Sequence, residues 1–107
     1  MIATAAAAPL PAPARLQVSE REFRLGLSRT HVKRGDLEIE VVNFGQDPHD
    51  LALVRAGRAA ARPVTSPVAS PGGRAELDAH LTPGRYTLYC TLPGHRGRGM
   101  VATLVVT

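Results

Sequence analysis

The chain has 107 residues, enough for one domain, because two independent cores would each fall near the size at which a fold needs extra staples. Apolar residues make up 44% of it, but 16 of these are Ala, so the core has few large side chains to draw on. No apolar run approaches the ~20 residues of a membrane span. The single cysteine excludes an internal disulfide framework, a four-cysteine zinc knot, an iron–sulfur cluster and a two-thiolate metal centre.

Charge is unbalanced, with 13 Lys and Arg against 9 Asp and Glu for a net +4, and 12 of the 13 basic residues are Arg. This favours an acidic or anionic partner. The arginines are scattered from Arg15 to Arg98 instead of clustered on one element with aromatics among them, which argues against nucleic-acid binding.

In chain order, residues 1–14 (MIATAAAAPLPAPA) hold seven Ala and three Pro and no charge, so a flexible N-terminal tail is expected there. The segment lacks the basic start of a secretory signal and reads as the beginning of a mature or truncated chain. From residue 15 to 107 the pattern is one of short period-2 runs separated by Gly, Pro, Asn and Asp, the pattern of half-buried antiparallel strands. Leu16 and Val18 open it. Phe23, Leu25 and Leu27 alternate with Glu22, Arg24 and Gly26, and Leu37, Ile39 and Val41 alternate with Glu38 and Glu40. Inward parities continue with His49, Leu51 and Leu53; with Ala75, Leu77, Ala79 and Leu81; with Tyr86, Leu88 and Cys90; and with Met100, Ala102, Leu104 and Val106. Residues 55–73 break the rhythm: their Ala-Arg portion suits one or two helical turns, and three prolines with a Gly-Gly leave the remainder irregular or edge strand. The fold class expected is all-β, a two-sheet sandwich or small barrel of about seven to eight strands with Greek-key connections.

The chemistry concentrates in YCTLPGHRGRGM. Cys90, His95 and Met100 place a thiolate, an imidazole and a thioether within eleven residues, around a turn forced by Pro93-Gly94. These soft and borderline donors suit copper in both oxidation states: the thiolate supplies covalency, imidazole serves either state, and a distant thioether tunes the potential. A second imidazole is needed, and His49, after Pro48 at the start of an inward-alternating run, is the candidate. A cysteine–histidine pair also occurs in thiol hydrolases, but those draw the pair from distant segments and orient it with Asn or Asp.

Together with the Asn-Phe-Gly run of VVNFGQDPHDLALV and the closing VATLVV, this loop makes residues 15–107 resemble the cupredoxin family of type 1 blue copper proteins, such as azurins, auracyanins and plastocyanins. The resemblance implies one type 1 copper per chain, with His49, Cys90 and His95 as its trigonal ligands and Met100 as the long axial one. It implies a small electron carrier, not itself an enzyme, that is extracytoplasmic (periplasmic or secreted) and exchanges electrons with a redox protein through the exposed edge of His95, ringed by Leu92, Pro93 and Gly94. Arg96 and Arg98 on that rim would favour an acidic partner. A monomer is expected. One position departs from the family pattern: Asp50 stands where Asn commonly follows the first histidine. Its backbone N–H can still reach the cysteine sulfur, and its carboxylate is expected to accept a hydrogen bond from Thr91, tying the two ligand-bearing segments together.

Other readings remain open on the sequence alone. One is a copper-binding or copper-delivery protein with no electron-transfer role. A second is a domain of a copper nitrite reductase or multicopper oxidase, which would require further histidine ligands. A third is a metal-free sandwich, and zinc also suits a Cys-His-His set. His31, before a Lys-Arg-Gly-Asp turn, and His80, on an outward parity, are expected to be surface residues without a functional role.

Overall fold

The computed structural model describes residues 12–58 and 61–107, so most of the Ala/Pro-rich segment lies outside the described residues. Nine strands form among the described residues: β1 (Ala14–Arg21), β2 (Arg24–Leu27), β3 (His31–Val32), β4 (Gly35–Asn43), β5 (Ala52–Arg55), β6 (Val64–Thr65), β7 (Arg74–Leu81), β8 (Gly84–Tyr89) and β9 (Val101–Val106). A single 3-10 turn, Arg96–Arg98, precedes β9, and there is no α-helix among the described residues. The Ala-Arg segment after β5 carries no helical turn over residues 55–58 and 61–62; the chain returns instead through the short edge strand β6. Ala14, counted with the tail on composition, is the first residue of β1 and pairs with Leu37, because a small apolar residue fits a strand as readily as a linker.

The strands make two sheets, ordered β2-β1-β4-β7 and β3-β9-β8-β5-β6. They are mixed where an antiparallel system is expected, since β1 runs parallel to β4 and β3 parallel to β9. Period-2 alternation reports which face of a strand is buried, not the direction of its neighbour, so the parallel pairs leave no mark in the pattern.

The inward parities meet between the sheets. Leu16, Val18, Leu37, Ile39, Val41 and Leu77 from the first sheet pack with Leu53, Tyr86, Leu88, Leu104 and Val106 from the second and with Leu51 just before β5. Each large aliphatic side chain buried here contributes about 1.5–3 kcal/mol over its exposed state. Leu25 and Leu27 are only half-buried against this core, and Phe23 lies in the tight turn from β1 to β2 instead of on a strand. β1, β4 and β8 end, and β2, β5, β7 and β9 begin, at one end of the sandwich, and that end carries the polar residues discussed next. His31 and His80 lie at the other end, exposed, the former against Thr107 Oγ1 at 2.6 Å and the latter against Asp36 at 2.8 Å.

Candidate metal centre

Two features build the downstream half of the site. Cys90 immediately follows β8 and remains on its inward parity, fully buried. Its N–H donates to Met100 O at 3.2 Å, and Met100 N–H donates to His95 O at 3.2 Å, so the loop is closed by its own backbone. Between them, His95 N–H donates to Leu92 O at 3.1 Å across Pro93-Gly94, with Gly94 at φ 79°, the left-handed position that this turn assigns to glycine. Met100 is buried at the base of the loop and His95 is half-buried at its rim.

His49 comes from the other half. It is fully buried, in an isolated antiparallel bridge to Ala69 three residues before β5, with backbone hydrogen bonds of 3.1 and 2.8 Å. The preceding turn is fixed by Asn43 at the end of β4. Its amide donates to Asp47 O at 2.8 Å and Ala69 O at 3.0 Å, while its Oδ1 accepts from Gly45 N–H at 2.8 Å. Asn-Phe-Gly is thus the anchor of the turn that aims His49.

The two halves converge on one point. His49 Nδ1 lies 3.1 Å from His95 Nδ1, Cys90 Sγ lies 3.5 Å from His95 Nδ1, and the three donor atoms all fall within 4.8 Å of one another. Two imidazole nitrogens each about 2 Å from one ion sit about 3 Å apart when they subtend an angle near 100°, so this spacing suits a shared metal. The donor set, one thiolate sulfur and two imidazole nitrogens, is soft enough for copper. With buried Met100 behind it, it fits a single type 1 copper site.

Burial pushes the Cys90 thiol above its ordinary pKa, while hydrogen bonds from the backbone of Asp50 and Leu92 pull it back down. The thiol proton must therefore leave as a metal binds. Asp50, almost fully buried, joins the halves: Thr91 N–H donates to its Oδ1 at 2.7 Å and Thr91 Oγ1 donates to its Oδ2. Leu92 is half-buried, and Pro93, Gly94, Arg96 and Arg98 are exposed around His95. Both arginines lie over aromatic rings, Arg96 over Tyr89 at 4.1 Å and Arg98 over Phe23 at 4.9 Å.

The turn from β1 to β2 also belongs to the site, and the sequence reading missed it. Glu22 Oε1 lies 3.0 Å from His49 Nε2, and the Phe23 ring meets the His95 ring edge-on at 5.2 Å. The alternation of Phe23 with Leu25 and Leu27 placed both residues in a strand. The signal that finds Glu22 is the opposite register: Leu16, Val18, Glu20 and Glu22 share one inward parity that runs out over the rim.

Comparison with known proteins agrees with this geometry. Residues 14–107 match the family model described as copper binding proteins of the plastocyanin/azurin family. A search of curated proteins finds no match. Among solved structures, auracyanin A, a "blue" copper protein from Chloroflexus aurantiacus, superposes with a TM-score of 0.71 at 18% identity, covering 90% of this chain and 100% of the other. Reduced auracyanin from Roseiflexus castenholzii gives 0.70 at 18% identity, covering 91% and 99%. A copper-containing nitrite reductase from Thermus scotoductus gives 0.65 at 15% identity, but there this chain spans only 31% of the other. At such identities the likeness to these structures is one of fold.

Proposed function

The chain belongs to the plastocyanin/azurin family of copper-binding proteins, and on that premise we propose that it carries single electrons between redox partners from a site held by His49, Cys90, His95 and Met100. The observation that carries this reading is the convergence of Nδ1 of His49, Sγ of Cys90 and Nδ1 of His95 from segments more than forty residues apart. Copper bound there supplies a one-electron Cu(I)/Cu(II) couple. Met100, buried next to Cys90 through its backbone, would supply a thioether to the metal.

The protein's own part is to keep the donors still. Backbone hydrogen bonds close the Cys90–Met100 loop, the bridge to Ala69 pins His49, and Asp50 ties one to the other, so the donor set need not rearrange when the charge at the site changes. Burial of Cys90, His49 and Met100 excludes water from all but the His95 side. His95 is therefore the exit, and its rim of Leu92, Pro93 and Gly94 makes a small apolar landing surface. Arg96 and Arg98 add positive charge beside it, which suits a redox protein with an acidic docking face. The family membership supports an extracytoplasmic location.

Cyclic voltammetry of the copper-loaded protein tests the reading. A reversible one-electron wave is expected. Tight Cu(I) binding with no reversible wave would instead indicate a copper-delivery protein.

A further inference from the structure

We propose that Glu22 is a positioning residue of the metal centre: its carboxylate, reaching in from the turn between β1 and β2, fixes the His49 ring so that Nδ1 alone is left to bind the metal. The seat is built for a carboxylate. Oε1 accepts the backbone N–H of Gln46 at 2.7 Å and of Asp47 at 2.6 Å and lies 3.0 Å from His49 Nε2. Gly45 leaves the room: a Cβ there would come within 2.5 Å of Oε1 and 2.6 Å of Oε2, although its backbone is held independently by Asn43 Oδ1.

The proton assignment follows from the partners. An ionised carboxylate only accepts, so His49 Nε2 must carry the hydrogen, and Nδ1, 3.1 Å from His95 Nδ1, keeps its lone pair for a ligand. Oε1 already accepts two backbone N–H groups, so it faces His49 as an acceptor. The same turn presses Phe23 against His95 and brings Phe23 O close to Gly99, where a Cβ would approach to 2.8 Å, so one short turn braces both histidines. A carboxylate behind a metal-binding imidazole sets the ring's orientation and raises its basicity.

The inference rests on His49 being a metal ligand, and its first readout does not need the metal. In metal-free protein, 15N NMR of the imidazoles is expected to show His49 as the Nε2–H tautomer in the wild type and in Glu22→Gln, whose amide oxygen still accepts, and as a mixture in Glu22→Ala. Gly45→Ala, which evicts the carboxylate without deleting it, is expected to match Glu22→Ala. Copper affinity is expected to fall roughly 10–100-fold in Glu22→Ala and Gly45→Ala and to be largely restored in Glu22→Gln. A pure Nε2–H tautomer and unchanged copper affinity in both Glu22→Ala and Gly45→Ala would overturn the proposal. Should Glu22→Ala not fold, Gly45→Ala decides by the same two readouts. A tautomer that shifts as expected in a protein that binds no copper through Cys90 would leave the Glu22 assignment standing and sink the electron-carrier reading instead.

Discussion

Cys90, His95 and Met100 come from one eleven-residue loop that is closed by its own backbone, Cys90 to Met100 and Met100 to His95, whereas His49 is aimed by groups from three other places in the chain: Asn43 at the end of β4, Ala69 across the bridge and Glu22 from the β1–β2 turn. The first half is local and stiff because strand ends and a Pro-Gly turn dictate its path. The second is an assembly of buried polar contacts, each costly to leave half made. The contrast teaches where this site is vulnerable. Substitutions that spare the ligands should do most damage on the His49 side.

The largest loss of stability is expected at Asn43. Its side chain is fully buried and makes three hydrogen bonds, so Asn43→Ala strands the Gly45 N–H and the Asp47 carbonyl, removes one of the two donors to Ala69 O, and should cost about 3 kcal/mol of stability in denaturant unfolding. A loss below about 1 kcal/mol would mean that water or a neighbour replaces Asn43 and that the His49 turn holds itself.

Next comes Glu20, also near this end and the counterpart of Glu22 two residues on. It is fully buried on the inner face of β1, and neither carboxylate oxygen has a hydrogen-bond partner among the described residues. Burial first, and then the charge of Asp50, push its pKa up from 4.5 to about 8. The folded state thus keeps a proton that the unfolded chain releases. The stability this group supports is fully present below pH 4.5 and declines as pH rises toward 8, by up to about 1.4 kcal/mol per pH unit. Glu20→Gln removes that slope, so the stability of the variant relative to wild type, measured on metal-free protein, should improve steadily from pH 5 to 8. A difference that does not change with pH would contradict it. Glu22 has the opposite linkage, because its lowered pKa makes its contribution present above 4.5 and lost as pH falls toward 2.

A smaller effect belongs to the tie between the halves. Asp50 places a carboxylate beside the cysteine, held by Thr91 N–H and Oγ1, and negative charge there favours Cu(II) over Cu(I). Asp50→Asn should therefore raise the reduction potential, by on the order of 1 kcal/mol of relative stabilisation. A lower or unchanged potential would count against it. The smallest effect is at the rim: if Arg96 and Arg98 steer an acidic partner, electron-transfer association should slow as salt rises, and Arg96→Glu should reverse the trend. Salt-independent association would dismiss the steering.

The same contrast governs what could be read from residues alone. The Cys90–Met100 loop was legible because ligand types, Pro93-Gly94 and strand parity lie within one short stretch. The sandwich was legible because Leu16, Ile39, Leu77, Leu88 and Leu104 repeat with period 2. Two things did not show. Parallel pairing of β1 with β4 leaves no trace in alternation, since the pattern marks a face and not a neighbour. Glu20 and Glu22 were hidden because acidic residues at a strand end ordinarily read as solvated, while one here is buried and the other bonds a histidine 27 positions away. Those contacts exist only after the sheets have closed.

Addition of Cu(II) to the metal-free protein, followed by its optical spectrum, tests the central claim most directly. An intense blue thiolate-to-copper band that saturates at one equivalent, and that is absent in Cys90→Ser and lost or strongly altered in His49→Ala, is the result this account predicts. No such band, or one that survives unchanged without His49, would contradict it.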